Sequence, residues 1–490
     1  MLNLTFFTLK PIILPIVFGC FLLACSGTSP EKTDTEPVKN FVEISPENPH
    51  YFQLADGTTY IPIGLNLIHP SGQFETDEEA FQQVEDMMKG LHENGGNYVR
   101  IWLSQSFWDI EHETAGVYDE SRARRIDRYI ELARKYGLRI KMTFEHFRSV
   151  TIEENPQAWA TKFIYHTSRG GPLNAIGEYL STEAGHKLFL DKLDFYQKRY
   201  GSDTVFFGWE LWNEMNAVKG PEDSTFFAWN MKMLLETKKR FPENLVMQSF
   251  GSFDRESGRE HYKTMMTMQE NEVAQIHRYL DLGAQMEICH GPLDVSAADA
   301  IRELQSYRPG RPMILAETGG VEPNHSGPIR YYEKDTVGLM LHDILFAPFF
   351  AGSAGAGMIW HWVPYVHANN LWFHYGRFSR AIEGIDPVKE KLKPEYSETD
   401  QLKVYTLKGR TTSLLWIRDK ENNWMTELEE ETPPGIIELS GQAILDLIPK
   451  EFTSLEIYDP WEDRWSEIYN STDIPETVAF KRSLVLRVKK

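Results

Sequence analysis

The sequence predicts an α/β protein, a (β/α)8 TIM barrel followed by a small C-terminal antiparallel β-sandwich domain. Three observations lead there. From about residue 41, short apolar strands alternate with amphipathic helices, which argues for a parallel sheet. Eight such strands fall within about 340 residues, the length of a barrel with insertions. After about residue 395 the pattern changes to short alternating strands separated by turn residues.

Residues 60–66 (Tyr-Ile-Pro-Ile-Gly-Leu-Asn) read as strand one. A helix follows over 78–93, with Phe81, Val84, Met87, Met88 and Leu91 at helical spacing. Residues 97–103 form strand two, 121–136 a helix that Gly137 stops, and 138–144 strand three. Strands four to eight fall at 205–211, 244–250, 273–277, 313–316 and 357–360. The barrel domain therefore spans 41–390 and the β domain 395–490, with strands at 403–407, 412–417, 455–458 and 483–488. That β domain is expected to cover and stabilise the barrel. Trp in a small β domain is usually core or interface, and carbohydrate binding through Trp461 or Trp465 is the alternative. No solenoid-type repeat is present.

Ahead of the barrel, residues 1–24 place Lys10 before an apolar run that is short for a membrane span and has the shape of a signal peptide. The run ends in residues 22–26 (Leu-Leu-Ala-Cys-Ser), which resemble a bacterial lipobox, although Leu23 is a less usual central residue. That resemblance implies lipidation of Cys25. Residues 25–40 then form the lipidated cysteine and a polar, flexible leash. The protein is expected to be exported and lipid-anchored to a bacterial membrane, at the outer membrane or cell surface rather than the inner membrane. The alternative is an ordinary cleaved secretion signal with an incidental cysteine.

The formal net charge of -20 repels phosphate backbones and argues against a nucleic-acid partner. Of the three cysteines, Cys20, Cys25 and Cys289, a chain starting at a lipidated Cys25 leaves Cys289 without a partner, so no intrachain disulfide is expected. No Cys/His cluster has metal-ligand spacing, and neither a metal nor a cofactor is expected. Aromatic residues make up 13% of the chain, enough to fill a large core or to line a sugar-binding cleft.

Barrels of this kind carry their chemistry at the C-terminal ends of the strands. Strand four runs into residues 209–214 (Trp-Glu-Leu-Trp-Asn-Glu), and strand seven into 315–319 (Leu-Ala-Glu-Thr-Gly). Glu214 and Glu317 thus stand on opposite sides of the barrel mouth. Cleavage of a glycosidic bond needs such a pair: one carboxyl protonates the departing oxygen and the other attacks the anomeric carbon, at a separation of about 5–5.5 Å in retaining enzymes. Glu210 lies on the same face as Glu214 but deeper.

Over roughly residues 50–380 the chain resembles clan A of the glycoside hydrolases, and most of all family 5, with its cellulases and endo-β-mannanases. Asn213-Glu214 matches the clan's Asn-Glu after strand four, and Glu317 its glutamate after strand seven. Arg100 on strand two, His146 after strand three, His277 and Tyr279 after strand six, and Trp360 at the end of strand eight follow the same pattern. Singly, Arg100 reads as a buried ion pair, and His146 and Trp360 as core residues; the strand order is what makes the set specific. The resemblance implies that Glu214 is the acid/base and Glu317 the nucleophile. It implies that Arg100 and Tyr279 hydrogen-bond Glu317, and that Asn213 donates to the sugar 2-hydroxyl. His146 and His277 would bind sugar hydroxyls or hold the carboxylates. Trp360, or Trp362 two residues on, would stack on the sugar before the scissile bond.

The implied function is a retaining hydrolase of β-glycosidic bonds in a plant-type or similar polysaccharide or its oligosaccharides. β-Mannan or β-glucan is favoured, with galactan or a decorated hemicellulose as further options. The rival readings are a surface glycan-binding lipoprotein on a degenerate barrel and a transglycosylase using the same residues. Residues 148–185 are an expected cleft wall, and residues 362–375 form either sugar subsites or a packed loop. Linkage, endo or exo action and oligomeric state stay open at this stage.

Overall fold

The computed structural model describes residues 40–146, 164–217 and 222–490. The signal segment, Cys25 and most of the leash lie outside the described residues, as does the 148–163 part of the expected cleft wall.

Strands one to five of the barrel are Gly64–Asn66, Tyr98–Trp102, Arg139–Glu145, Phe206–Trp212 and Leu245–Met247, each parallel to its neighbour. Strands six and seven, Ala274–Asp281 and Met313–Val321, form a parallel pair. Strands two, four, six and seven are buried at every residue, as expected when helices cover the outside and side chains fill the inside. Place eight is held by bridges rather than a regular strand: Ile359 pairs in parallel with both Leu65 and Thr318, and so links strand one to strand seven.

Local chemistry explains the element ends. Helix Asp77–Glu93 starts where the Thr76 side chain accepts a hydrogen bond from the Glu79 N–H. Its first turn carries Asp77, Glu78 and Glu79, which complement the positive end of the helix dipole. Helix Glu120–Lys135 is capped in the same way by Asp119 and ends on Arg134 and Lys135. The expected strand one is cut short. Thr59–Tyr60 belongs to an N-terminal hairpin with Phe52–Leu54, Pro62 follows, and the barrel strand begins at Gly64. A Cβ at Gly64 would lie 1.8 Å from the Tyr98 carbonyl oxygen, so only glycine lets strands one and two approach. Strands six and seven run longer than expected. A register shift between Leu315 and Glu317 brings Glu317 opposite His277.

The C-terminal region forms a six-stranded antiparallel sheet in the spatial order Lys393–Glu398, Leu402–Lys408, Thr412–Asp419, Ser483–Lys489, Ser454–Asp459, Arg464–Trp465. Strand alternation gives it two apolar faces. Val404, Leu415, Ile417, Leu484 and Leu486 pack under the ribbon of Ile437–Ser440 and Thr477–Phe480 and under helix Gly441–Leu447, a sandwich-like layer. Tyr405, Leu407, Leu414, Trp416 and Val485 join the barrel core from the other face. Buried ion pairs cross to the barrel helices: Arg418 Nε to Asp343 Oδ1 at 2.9 Å, and Lys403 Nζ to Asp294 Oδ2 at 2.6 Å. Trp461 packs against His342 and His374 and donates its Nε1–H to Ser483, which is the interface role. Barrel and sheet lie within one compact unit, Lys39–Lys490.

Candidate active site

The floor of the site is a polar network inside the barrel. Arg100, on strand two and fully buried, donates Nε–H to Glu210 Oε2 at 3.0 Å and to Thr143 Oγ1 at 3.2 Å. Its Nη2 donates to Glu210 and to Asn213 Oδ1 at 2.6 Å, and its Nη1 to Asn66 Oδ1 at 3.2 Å and to Glu317 Oε1. Thr143 and Gln275 also donate to Glu210, and Lys141 Nζ lies 3.4 Å from it. Burial opposes the charge on Glu210, but Arg100 and Lys141 outweigh it and hold the carboxyl well below its usual range. Burial and the neighbouring Arg100 cation push Lys141 down to about 7. Glu210 is thus the structural anion that lets Arg100 sit in the barrel, deeper than Glu214.

Glu317 lies above this floor on strand seven, 3% exposed. Its Oε1 accepts from Arg100 and its Oε2 from the Tyr279 hydroxyl at 3.0 Å. Glu214 follows strand four in a left-handed backbone conformation, φ 50°, of the kind that non-glycine residues keep chiefly where the surroundings fix them. The turn brings its Oε1 to 2.8 Å from His277 Nδ1, which is also 3.4 Å from Glu317 Oε2. One oxygen of each glutamate and one ring nitrogen of His277 lie within 4.8 Å of one another.

Burial pushes both catalytic-type carboxyls above their ordinary range. The two differ in what opposes it. Glu317 has His277 beside it and the Arg100 guanidinium in contact, both favouring the anion. Glu214 has no arginine or lysine in contact among the described residues; His325 and Arg100 oppose the burial effect, and the Asp254 and Glu210 carboxylates add to it. Burial lowers His277 to about 4, and its Nδ1 lies within hydrogen-bond distance of Glu214.

Asn213, 1% exposed, anchors its N–H on the Glu145 carbonyl at 2.7 Å. Because its Oδ1 is taken by Arg100, its amide N–H2 group is the end left to donate to a ligand. His146 is fully buried, stacks under Trp102 at 5.0 Å and pairs Nδ1 with Ser104 Oγ at 2.7 Å. Trp360, part-exposed, lies 4.8 Å from Trp102. Trp362 backs it edge-on at 5.2 Å and is tied by Nε1–H to the His69 carbonyl, so of the two it is Trp360 that offers a face. The segment after strand eight is a packed wall. Its Tyr365 stacks on Tyr332 at 4.0 Å and donates to buried Asp335.

Sequence reasoning did not single out Asn66, whose amide donates to Ala316, Met358 and Ile359 carbonyls and so ties strand one to the strand-seven and strand-eight ends. Its signal was its place, the last residue of strand one. Asp254 and His325, whose charges act on Glu214, also went unseen.

Residues 63–344, more than half of the chain, match the family model for cellulase, glycosyl hydrolase family 5. Mannan endo-1,4-beta-mannosidase 3 of Arabidopsis thaliana is 22% identical over 276 residues, 50% of this chain and 64% of that protein; the chain spans less than two thirds of this relative's length. A solved structure described as a glycoside hydrolase superposes with a TM-score of 0.59 at 11% identity, over 92% of this chain and 97% of that one. A glycoside hydrolase family 5 protein from Bacteroides vulgatus ATCC 8482 gives 0.57 at 11% identity, over 92% and 93%. At such identity the likeness is one of fold.

Proposed function

The chain belongs to glycosyl hydrolase family 5, and we propose that it is a retaining glycoside hydrolase that cleaves β-glycosidic bonds in a polysaccharide or its oligosaccharides, β-mannan first. The observation that carries this is the pair of glutamates at the ends of strands four and seven, within 4.8 Å at their nearest ligating oxygens, with Arg100 on Glu317 and not on Glu214. In the first step Glu317 Oε attacks the anomeric carbon while Glu214 gives its proton to the departing glycosidic oxygen; the carbon–oxygen bond breaks and a glycosyl ester forms on Glu317. In the second, Glu214 takes a proton from water, whose oxygen displaces Glu317. Asn213 offers its amide N–H to the 2-hydroxyl, and Trp360 its face to the sugar on the nucleophile side. The name of the Arabidopsis thaliana relative supports mannan. The lipobox-like residues 22–26 support an exported enzyme held to a bacterial membrane through Cys25.

The test is a screen of residues 41–490 on β-mannan, β-glucan, xylan, galactan and aryl β-glycosides, with Glu214→Gln and Glu317→Gln alongside. Mannan cleavage lost in both variants is expected. Cleavage that survives Glu317→Gln at the wild-type rate rejects the mechanism, and cleavage of β-glucan alone rejects the substrate. Membrane fractions that retain a Cys25→Ser variant would reject the anchor.

A further inference from the structure

We propose that His325 and Asp254 form the sugar-binding wall on the leaving-group side of Glu214, recognising hydroxyls of the sugar that departs in the first step. The inference rests on the retaining-hydrolase reading. Because Glu214 delivers its proton to the departing oxygen, the leaving sugar must lie on that glutamate's side of the nucleophile. Trp102 and Trp360, at the ends of strands two and eight, mark the other side. The leaving side is bordered by the segments after strands five, six and seven, which supply Asp254, Asp281 and His325.

These three residues form one constructed corner. Asn324 and His325 both adopt left-handed backbone, φ 62° and φ 56°, in a loop with no glycine at either position. Asp281, 3% exposed, fixes that loop: its Oδ1 accepts from the Asn324 N–H at 3.0 Å and from the Gly283 N–H at 2.7 Å. The loop lies so close that a Cβ on Gly283 would meet the Asn324 nitrogen at 2.7 Å. Held this way, the His325 ring stands edge-on to Tyr279 at 5.2 Å, and Tyr279 is bonded to Glu317. His325 Nε2 is 3.5 Å from Asp281 Oδ2 and 3.9 Å from Asp254 Oδ2. The His325 side chain stays 37% exposed and that of Asp254 27%, so both groups face solvent beside the buried site. Strained, exposed side chains next to a catalytic pair are characteristic of ligand contacts. An imidazole that both donates and accepts, next to a carboxylate that only accepts, suits a pair of neighbouring hydroxyls.

The experiment compares kcat/KM on a β-linked tetrasaccharide, whose leaving group is a sugar, with that on the matching aryl β-glycoside, whose leaving group is not. His325→Gly, which keeps the left-handed backbone available, and Asp254→Asn should each lower the ratio of the two by tenfold or more, with KM for the tetrasaccharide raised. An unchanged ratio in both variants overturns the proposal. A Glu317→Gln variant as active as the wild type on both substrates would instead remove the reading on which the proposal rests.

Discussion

Arg100 gives Glu317 one terminal nitrogen of the same guanidinium whose other nitrogens hold buried Glu210. Glu317, the proposed nucleophile, is therefore positioned from the barrel floor and not by its own strand alone. A lysine at this position is a single point charge and cannot serve Glu210, Asn213 and Glu317 together. Arg100→Lys should lower kcat by about a hundredfold, the scale of a small misplacement of a reacting group. Arg100→Ala should in addition cost about 3–5 kcal/mol of stability, because it leaves Glu210 buried without its main partner. Steady-state kinetics and thermal denaturation separate the two effects.

Glu214 is expected to act by proton delivery, so its loss should depend on the leaving group. Glu214→Gln should slow polysaccharide cleavage by about 10²–10⁴-fold, the usual range for general acid catalysis. Aryl glycosides whose phenolate leaves without a proton should be slowed far less. Equal losses on both substrates would reject the acid assignment.

The basic limb of the kcat/KM profile should follow Glu214, whose carboxyl burial holds above its ordinary range. The Asp254 carboxylate adds to that elevation, since a nearby negative charge disfavours the ionised form. Asp254→Asn removes the charge, lowers the Glu214 pKa and should move the basic limb to lower pH. A limb that stays in place or moves upward contradicts the assignment.

The C-terminal sheet should be inseparable from barrel stability. Arg418 and Asp343 are a fully buried pair across that interface. Arg418→Met strands the Asp343 charge and should cost about 3–5 kcal/mol, whereas Arg418→Met combined with Asp343→Leu should recover most of it. Chemical denaturation of the single and double variants tests this; additive losses would contradict it.

Much of the fold is legible in the sequence because buried strands and amphipathic helices leave periods of different length. Phe81, Val84, Met87, Met88 and Leu91 mark one helix face and are all buried on it. The misjudged ends have local causes. Strand seven is expected to stop at residue 316, yet it continues to Val321, with Gly319 lying against Tyr332 and His361, where a Cβ would fall 2.8 Å from the Tyr332 hydroxyl. Place eight has no regular strand because its bonds run through Ile359 to two neighbours. At the site, position at a strand end nominated Glu214 and Glu317, and the family resemblance Arg100, His277 and Tyr279; the structure gathers these five into one network. Asn66, Lys141 and Thr143 carry no motif, and their role appears only when the barrel closes on Arg100 and Glu210. His325 was invisible for a similar reason: only the fold brings residues 254, 281 and 325 to one corner.

The most direct measurement is the anomeric configuration of the first product released, followed by proton NMR during the initial turnovers on a substrate that the screen identifies. The proposed double displacement on Glu317 keeps the configuration of the anomeric carbon. The product should therefore appear first as the β-anomer and mutarotate afterwards. Initial release of the α-anomer would contradict a glycosyl ester on Glu317 and, with it, the double displacement.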